Sequence, residues 1–455
     1  MSPVRHSSPR KPLLLTAAVG FALALSACGS SSSGSPSSTT ASAVESESSS
    51  PSPVGPADLV LWSWTPDMQL QVDICAKANP GINIKLENAG TGTPQYEKLR
   101  TAIKADSGVP DIVHMAYDQI PGYLATNDLA DLSQFGANDL KADYTASTWA
   151  NVSRGDAVYA LPWDSGPMGL LYREDILKQY DIAVPTTWAE FADAARKLHT
   201  ADNKKFLTTF PPSDAGWFQA LAWQAGSQPF KVSGSDMTVA INDANAKRVA
   251  DYWDGLIKEG VVATEPDFTP DWYTALTKGK FATWVTAAWG PSFLQGVAEG
   301  SSGKWRAAPM PQWEAGQPAS GEFGGSSLAV PAKSKNQAAA FQIVKCLMNG
   351  EESTKLFTTK QLLFPSKVDI LNSPEFKDQK SDFYGGTAVN QTFVDASAQV
   401  VQGWEWSPIQ AYVADQFSKE FGAAAAKGEL SAALDKIQAN VVQYATEQGF
   451  NVTAG

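Results

Sequence analysis

At 455 residues the chain is longer than one hydrophobic core usually supports, so two domains with a crevice between them are expected beyond its N-terminal segment. A formal net charge of −12 disfavours nucleic acid and polyphosphate as partners, because a long-range negative field repels them. Three cysteines and three histidines, with no CxxC, HExxH, GxSxG or GxxxxGKS/T spacing, leave little material for a structural zinc or a His-based nucleophile triad, and no metal or cofactor is expected.

Arg5, Arg10 and Lys11 precede an apolar run from Leu13 to Ala27, which ends in Leu25-Ser26-Ala27-Cys28. Basic, then apolar, then small-residue cleavage site is the pattern of an export signal, and the run is too short to span a hydrocarbon core of roughly 30 Å. The ending resembles the bacterial lipobox, in which the cysteine is lipidated and becomes the new N-terminus; a plain secretory signal with an incidental cysteine is the alternative. Loss of residues 1–27 removes three positive charges and no negative ones, leaving −15. From Gly29 to Pro56 the sequence is almost wholly Ser, Gly, Thr, Ala and Pro, so residues 28–57 read as a disordered tether with a span of roughly 30 Å. The expected location is the outer face of a cell membrane, held by lipid alone.

Asp58 to Trp64 has strand length and leads through Thr65-Pro66-Asp67 into a helix ending near Asn79-Pro80-Gly81. Ile82, Ile84 and Leu86 alternate with polar residues and predict a second strand, and Asp111 to Met115 predicts a third after a helix. Strands separated by helices mean a parallel, doubly wound α/β sheet, whose ligands bind beyond the carboxyl ends of the strands. Those ends carry Trp64, Asn88 and the Met115 to Gln119 turn. Tyr159 to Asp175 contains a Pro162-Trp163-Asp164 bend where the chain crosses between lobes. Thr187 and Glu190 form a capping-box pair. Helices are expected at Trp217 to Ala225, Ala244 to Glu259, Asp271 to Lys278, Ala338 to Met348, Ile409 to Ala426 and Leu430 to Glu447, with strands at Phe281 to Val285 and Gly324 to Pro331.

Taken in order, these segments resemble the extracellular solute-binding proteins of bacterial ABC importers, in the carbohydrate-binding group that includes maltose-binding protein. The resemblance runs from Asp58 to Phe450. It is carried by Trp62-Ser63-Trp64, Asn79-Pro80-Gly81-Ile82, Gly108 to Val113, Tyr159 to Asp164 with Leu171 to Asp175, Pro185 to Trp188, Lys278 to Ala282 and Phe323-Gly324-Gly325, behind the lipobox. It implies a two-lobe α/β fold of the type II periplasmic-binding-protein kind, each lobe a mostly parallel sheet flanked by helices, joined by crossing strands and closing on ligand. Residues 58–161 with 328–372 would form the first lobe, and 162–327 with 373–455 the second. Cys75 and Cys346, which the residues alone leave open between a disulfide and two buried thiols, would then share a lobe. The resemblance further implies a non-enzymatic monomer that delivers a mono- or oligosaccharide to a permease with a separate ATPase.

A neutral sugar needs aromatic plates for its CH faces and fixed polar groups for its hydroxyls. The sequence has 15 Trp and 12 Tyr. Trp289 follows a strand beside Gly290-Pro291 and matches a position where the family places a stacking tryptophan. Asp118 matches a family carboxylate that bonds sugar hydroxyls. Trp163 and Asp164 in the crossing strand, Trp64, Trp217, Trp404 and Trp406 are further candidates, and Gly325 would let backbone approach the ligand. Trp62, Trp149, Trp188, Trp253 and Trp305 are read as core. Met115 and Gln119 depart from maltose-binding protein, which has an aromatic and a basic residue there, so maltose is not implied. The same fold with a peptide, polyamine or other small solute, and a surface glycoside hydrolase with two carboxylates set for acid–base work, are the rival readings.

Overall fold

The computed structural model describes residues 55–361 and 363–455. The export segment, Cys28 and the tether up to residue 54 lie outside the described residues. β1 (Ala57–Trp62) begins one residue inside the expected tether and pairs in parallel with β2 (Ile82–Glu87) along its whole length, then with β3 (Ile112–Ala116) at Leu61 and Trp62. After the short hairpin β4 (Ser153–Arg154) and β5 (Ala157–Val158) comes β6 (Ala160–Arg173), a single 14-residue strand. The hairpin β7 (Phe230–Ser233) and β8 (Asp236–Val239) lies apart; β9 (Thr283–Ala287), β10 (Trp305–Pro309) and β11 (Glu322–Ala329) complete the main sheet.

The parallel pairing expected of a doubly wound sheet is found at β2, β1 and β3. It turns antiparallel at β11, which lies between β3 and β6. β6 holds two neighbourhoods together: its first half pairs with β11, while Met168 to Arg173 run between β9 and β10. One strand thus crosses the molecule. The register of β11 against β6 shifts between Glu322 and Gly325, a bulge at the point where β6 changes partners.

Helices fill the intervals as the periodicity predicts, at Met68–Ala78, Ala215–Gln224, Ala244–Lys258, Pro270–Lys278, Gln337–Asn349, Gln410–Ala424 and Leu430–Glu447. The Thr187 side chain accepts from the Glu190 amide while the Glu190 carboxylate accepts from the Thr187 amide, which is the reciprocal cap read from the sequence. Cys75 and Cys346 are joined, with Cα atoms 5.8 Å apart, and tie helix Met68–Ala78 to helix Gln337–Asn349. No helix among the described residues is long and apolar enough to cross a membrane.

Buried apolar side chains gather into three clusters. The first is built on β1, β3, Leu328 to Val330 and helix Gln337–Asn349, and takes in Trp163, Trp223, Trp404 and Trp406. The second surrounds helices Ala215–Gln224, Ala244–Lys258 and Leu430–Glu447. The third packs Trp272, Trp284 and Trp305 with Phe364, Leu371 and Phe376. Phe364 and Leu371 therefore pack away from the first cluster, although the expected partition put them beside it. The cause is local: the 363–366 segment runs along the crossing strand, with the Ser165 amide donating to the Phe364 carbonyl and the Ser366 amide to the Trp163 carbonyl.

Candidate functional site

The bulge on β11 is where the site assembles. Gly324 and Gly325 have φ of 83° and 101°, a region that L side chains rarely adopt. A Cβ at Gly325 would lie 2.7 Å from the Tyr117 ring, so its lack of a side chain seats Tyr117 rather than a ligand. The Tyr117 hydroxyl donates to the Asp164 carbonyl at 2.9 Å, and this fixes the loop that presents Asp118 just past β3. On the other side the Trp289 indole donates to the Phe323 carbonyl at 2.9 Å, beyond the end of β9. The bulged Phe323-Gly324-Gly325 segment thus bears on Tyr117, the neighbour of Asp118, through Gly325, and on Trp289 through the Phe323 carbonyl.

Trp289 is half-buried and sits among rings: Phe323 at 5.2 Å, Trp284 at 5.7 Å and Phe268 at 6.0 Å between centroids. Phe268, which the sequence reading missed, is 37 % exposed and holds φ at +54°, an outlier for a bulky residue. Its neighbour Asp267 lies in hydrogen-bonding reach of Asp214, the N-cap of helix Ala215–Gln224. Burial and the Asp214 charge push the Asp267 carboxyl up to about 8, so the pair holds a proton at neutral pH.

Asp118 lines a groove with Arg100, Gln119, Gly122 and the segment from Pro408 to Tyr412, where Tyr412 stacks on Tyr444 at 3.9 Å. Gln119 donates to the Asp118 carboxylate at 3.1 Å and accepts from Arg100 at 3.3 Å. A cation missing from position 119 is therefore supplied through Gln119 by the preceding helix. Burial raises the Asp118 carboxyl above its ordinary range, and it does the same to Asp164, whose carboxylate accepts from the Ser326 hydroxyl at 2.5 Å. Tyr412 and Tyr444 lie on helices Gln410–Ala424 and Leu430–Glu447, and nothing in the sequence marks either as unusual. Only the fold reveals that they face Asp118.

The other expected ligand residues are placed differently. Trp64 stands half-buried past β1, stacked on His114 at 4.0 Å. Trp163 is 1 % exposed and packs between His114 and Phe357, so it offers no face. Trp217 is also core: its indole donates to the Val285 carbonyl and its ring meets Phe210 and Trp253. The helix that carries it is apolar on every side, which is the signal that could have excluded it. Trp404 and Trp406 are buried against Trp223, with Trp404 stacked on it at 4.8 Å and 4°. They belong to packing because Trp223, overlooked in the sequence, fills the space beside them. Trp62, Trp149, Trp188, Trp253 and Trp305 are buried as read. Among the described residues no cluster of three or more His, Cys, Asp or Glu side chains forms a metal centre.

Residues 52–352 match the sequence pattern described as bacterial extracellular solute-binding protein. The chain is 23 % identical over 354 residues to the arabinooligosaccharide-binding protein of Bacillus subtilis, covering 75 % of this chain and 79 % of that one. It is 23 % identical over 334 residues to an uncharacterized lipoprotein of Streptomyces antibioticus, covering 70 % and 71 %. Its fold is similar, with a TM-score of 0.75 and 28 % identity over 87 % of this chain and 99 % of the other, to the ABC transporter associated binding protein of B. animalis subsp. lactis Bl-04 in complex with β-1,6-galactobiose. The geometry and the pattern agree: this chain, a two-lobe α/β receptor of the type II periplasmic kind, belongs to the bacterial extracellular solute-binding protein family.

Proposed function

We propose that the chain captures a short, uncharged oligosaccharide outside the cell and hands it to the membrane subunits of an ABC importer, whose ATPase is a separate polypeptide. The observation that carries this reading is that Trp289 and Tyr117, the neighbour of Asp118, both bear on the bulged 323–325 segment. In this reading Trp289 is the aromatic plate for CH faces, and the carboxyls of Asp118 and Asp164 accept hydroxyl hydrogens. Relatives and neighbours whose names state oligosaccharide ligands support it. In this reading Trp64, Asp118, Asp164 and Trp289 contact ligand, joined by Phe268 and Tyr412. The lobes, near 58–161 with 328–372 and 162–327 with 373–455, close over it. Lipid on Cys28 holds the body to the outer membrane face through the tether, a reading supported by the name of the lipoprotein relative.

A thermal-shift screen of the exported chain against di- and trisaccharides, polyamines and peptides tests the proposal. A sugar at a hundredfold excess over its Kd adds about 2.7 kcal/mol of stability. Trp289→Ala and Asp118→Asn should each weaken that sugar by about tenfold or more, since each removes a contact worth at least ~1.4 kcal/mol. Shifts from polyamines alone, or consumption of the sugar on incubation, would sink the reading.

A further inference from the structure

His114 has no part in the reading so far, yet its surroundings are unusually specific. It sits in the middle of β3, 4 % exposed, and its ring covers one face of Trp64 with the planes 24° apart. Its Nδ1 lies 3.4 Å from the Ser63 hydroxyl and 3.3 Å from the Thr65 hydroxyl, the two residues that flank Trp64. The Thr65 amide closes the figure by donating to the Ser63 hydroxyl at 3.2 Å. One imidazole thus touches three consecutive residues, stacking on the middle one and bonding the outer two.

The imidazole is itself held from behind. Trp163 packs on it at 4.8 Å, and the Gln95 amide donates to the His114 carbonyl at 2.8 Å. No charged group is among the causes that shift it; burial alone drives its pKa down to about 3, so the ring is neutral at any ordinary pH and its tautomer sets whether Nδ1 accepts from the hydroxyls or donates to them. Segment 63–65 needs such a hold. The Ser63 amide makes the last bond to β2, at the Glu87 carbonyl, and Trp64 lies beyond it where the ladder has ended. A tryptophan free to change rotamer there would have to be immobilised on binding, at a cost in affinity. The indole N–H of Trp64 makes no hydrogen bond among the described residues, and the ring is half-buried, which leaves an edge and a face for something else.

We infer that His114 is a positioning residue, which clamps Ser63 and Thr65 and backs Trp64 so that the indole stands ready as the β1-side stacking plate for a sugar ring. This rests on the oligosaccharide reading above. A phenylalanine at 114 supplies the stack without the clamp, and an alanine supplies neither, so the two parts separate experimentally.

The test uses the exported chain and two readouts. The first needs no ligand: the near-ultraviolet circular dichroism band of Trp64, defined as wild type minus Trp64→Ala, reports how fixed the indole is. The second is calorimetric affinity for the saccharide that gives the largest thermal shift, with β-1,6-galactobiose as the starting probe. Trp64→Ala should weaken binding about tenfold. The Ser63→Ala/Thr65→Val double variant, which leaves His114 in place and alters no core volume, should lose most of the band and bind about three- to tenfold more weakly. His114→Ala should lose the band entirely, with partial rescue by His114→Phe. A band that survives both the double variant and His114→Ala overturns the clamp. A lost band with unchanged affinity overturns the plate. If wild type responds to no saccharide, the oligosaccharide reading and the role of the plate fall together, a failure distinguishable from the first because the band still reports the clamp.

Discussion

Gly325 and Glu322 lie three residues apart on β11 and show how differently a side chain and its absence are used. Gly325→Ala would place a methyl 2.7 Å from the Tyr117 ring at φ of 101°, so it should cost about 1–3 kcal/mol and displace the loop bearing Asp118. Sugar affinity should fall by more than stability does, which paired calorimetry and urea melts would reveal. Glu322 is 1 % exposed and accepts only from Ser147 at 3.1 Å and Asn151 at 3.5 Å, with no cation at hand. Burial, and to a lesser degree the Asp164 charge, push its carboxyl up to about 7. A folded-state value above the unfolded one means its contribution is fully present below about pH 4.5 and is lost as pH rises through about 7. Glu322→Gln, a fixed neutral mimic, should therefore raise stability by roughly 3 kcal/mol at pH 8 and leave it unchanged near pH 4.5. His114 runs the other way. Its depressed pKa contributes stability above about pH 6.5 that is lost as pH falls toward 3, so acid unfolding should begin with the Trp64 clamp.

Among elements, the most consequential link is the cystine that joins helix Met68–Ala78 to helix Gln337–Asn349 across 271 residues of sequence. These two helices cover the sheet built on β1, and the second returns to it only after the chain has built most of the other clusters. Cys75→Ser with Cys346→Ser should cost about 2–5 kcal/mol, with a matching loss on reduction of the wild type, read as a lower urea midpoint. The pairing of those cysteines was open in the sequence, because a thiol in an apolar helix face looks the same free or bonded. Strand and helix positions were legible from β1 to helix Leu430–Glu447, since alternation of Ile82, Ile84 and Leu86 or the caps at Thr187 and Glu190 are local facts. Tryptophan roles were not. Trp163 lies within the crossing strand and Trp289 just past β9, and what separates them is that His114 and Phe357 cover Trp163 while Trp289 stays half-buried, which no local pattern records. Trp404 reads as a ligand candidate, and it is Trp223, far away in sequence, that stacks on it. Phe268 left a faint trace as an aromatic in the polar run Glu265-Pro266-Asp267, but its positive φ belongs to the fold alone.

At the scale of the whole molecule, three passes of chain run side by side through the middle: β6 near Trp163 to Pro167, β11 from Glu322 to Ser327, and the 364–366 segment bonded to β6. Bending at these passes would change the width of a groove, as in hinge closure, but the first apolar cluster reaches across them to Trp223, Val400, Trp404 and Trp406, so those side chains would have to shift with it. Closure over a sugar should appear as a contraction in small-angle scattering on adding the saccharide found by the thermal screen. Charge decides what kind of ligand can drive it. With a net charge of −12 on the chain, a polyamine would be drawn in by a field that salt screens, and its affinity would drop steeply from about 50 to about 500 mM salt as the Debye length shrinks from well over 10 Å to under 5 Å. A neutral sugar, held in the proposed reading by stacking on Trp289 and by hydrogen bonds to Asp118 and Asp164, would feel none of that field. Its Kd should stay flat across the same range, and the contraction should persist at the highest salt. An affinity that collapses with salt would mean that the ligand carries positive charge and that the carboxyls beside the rings act as counter-ions rather than as acceptors for hydroxyls.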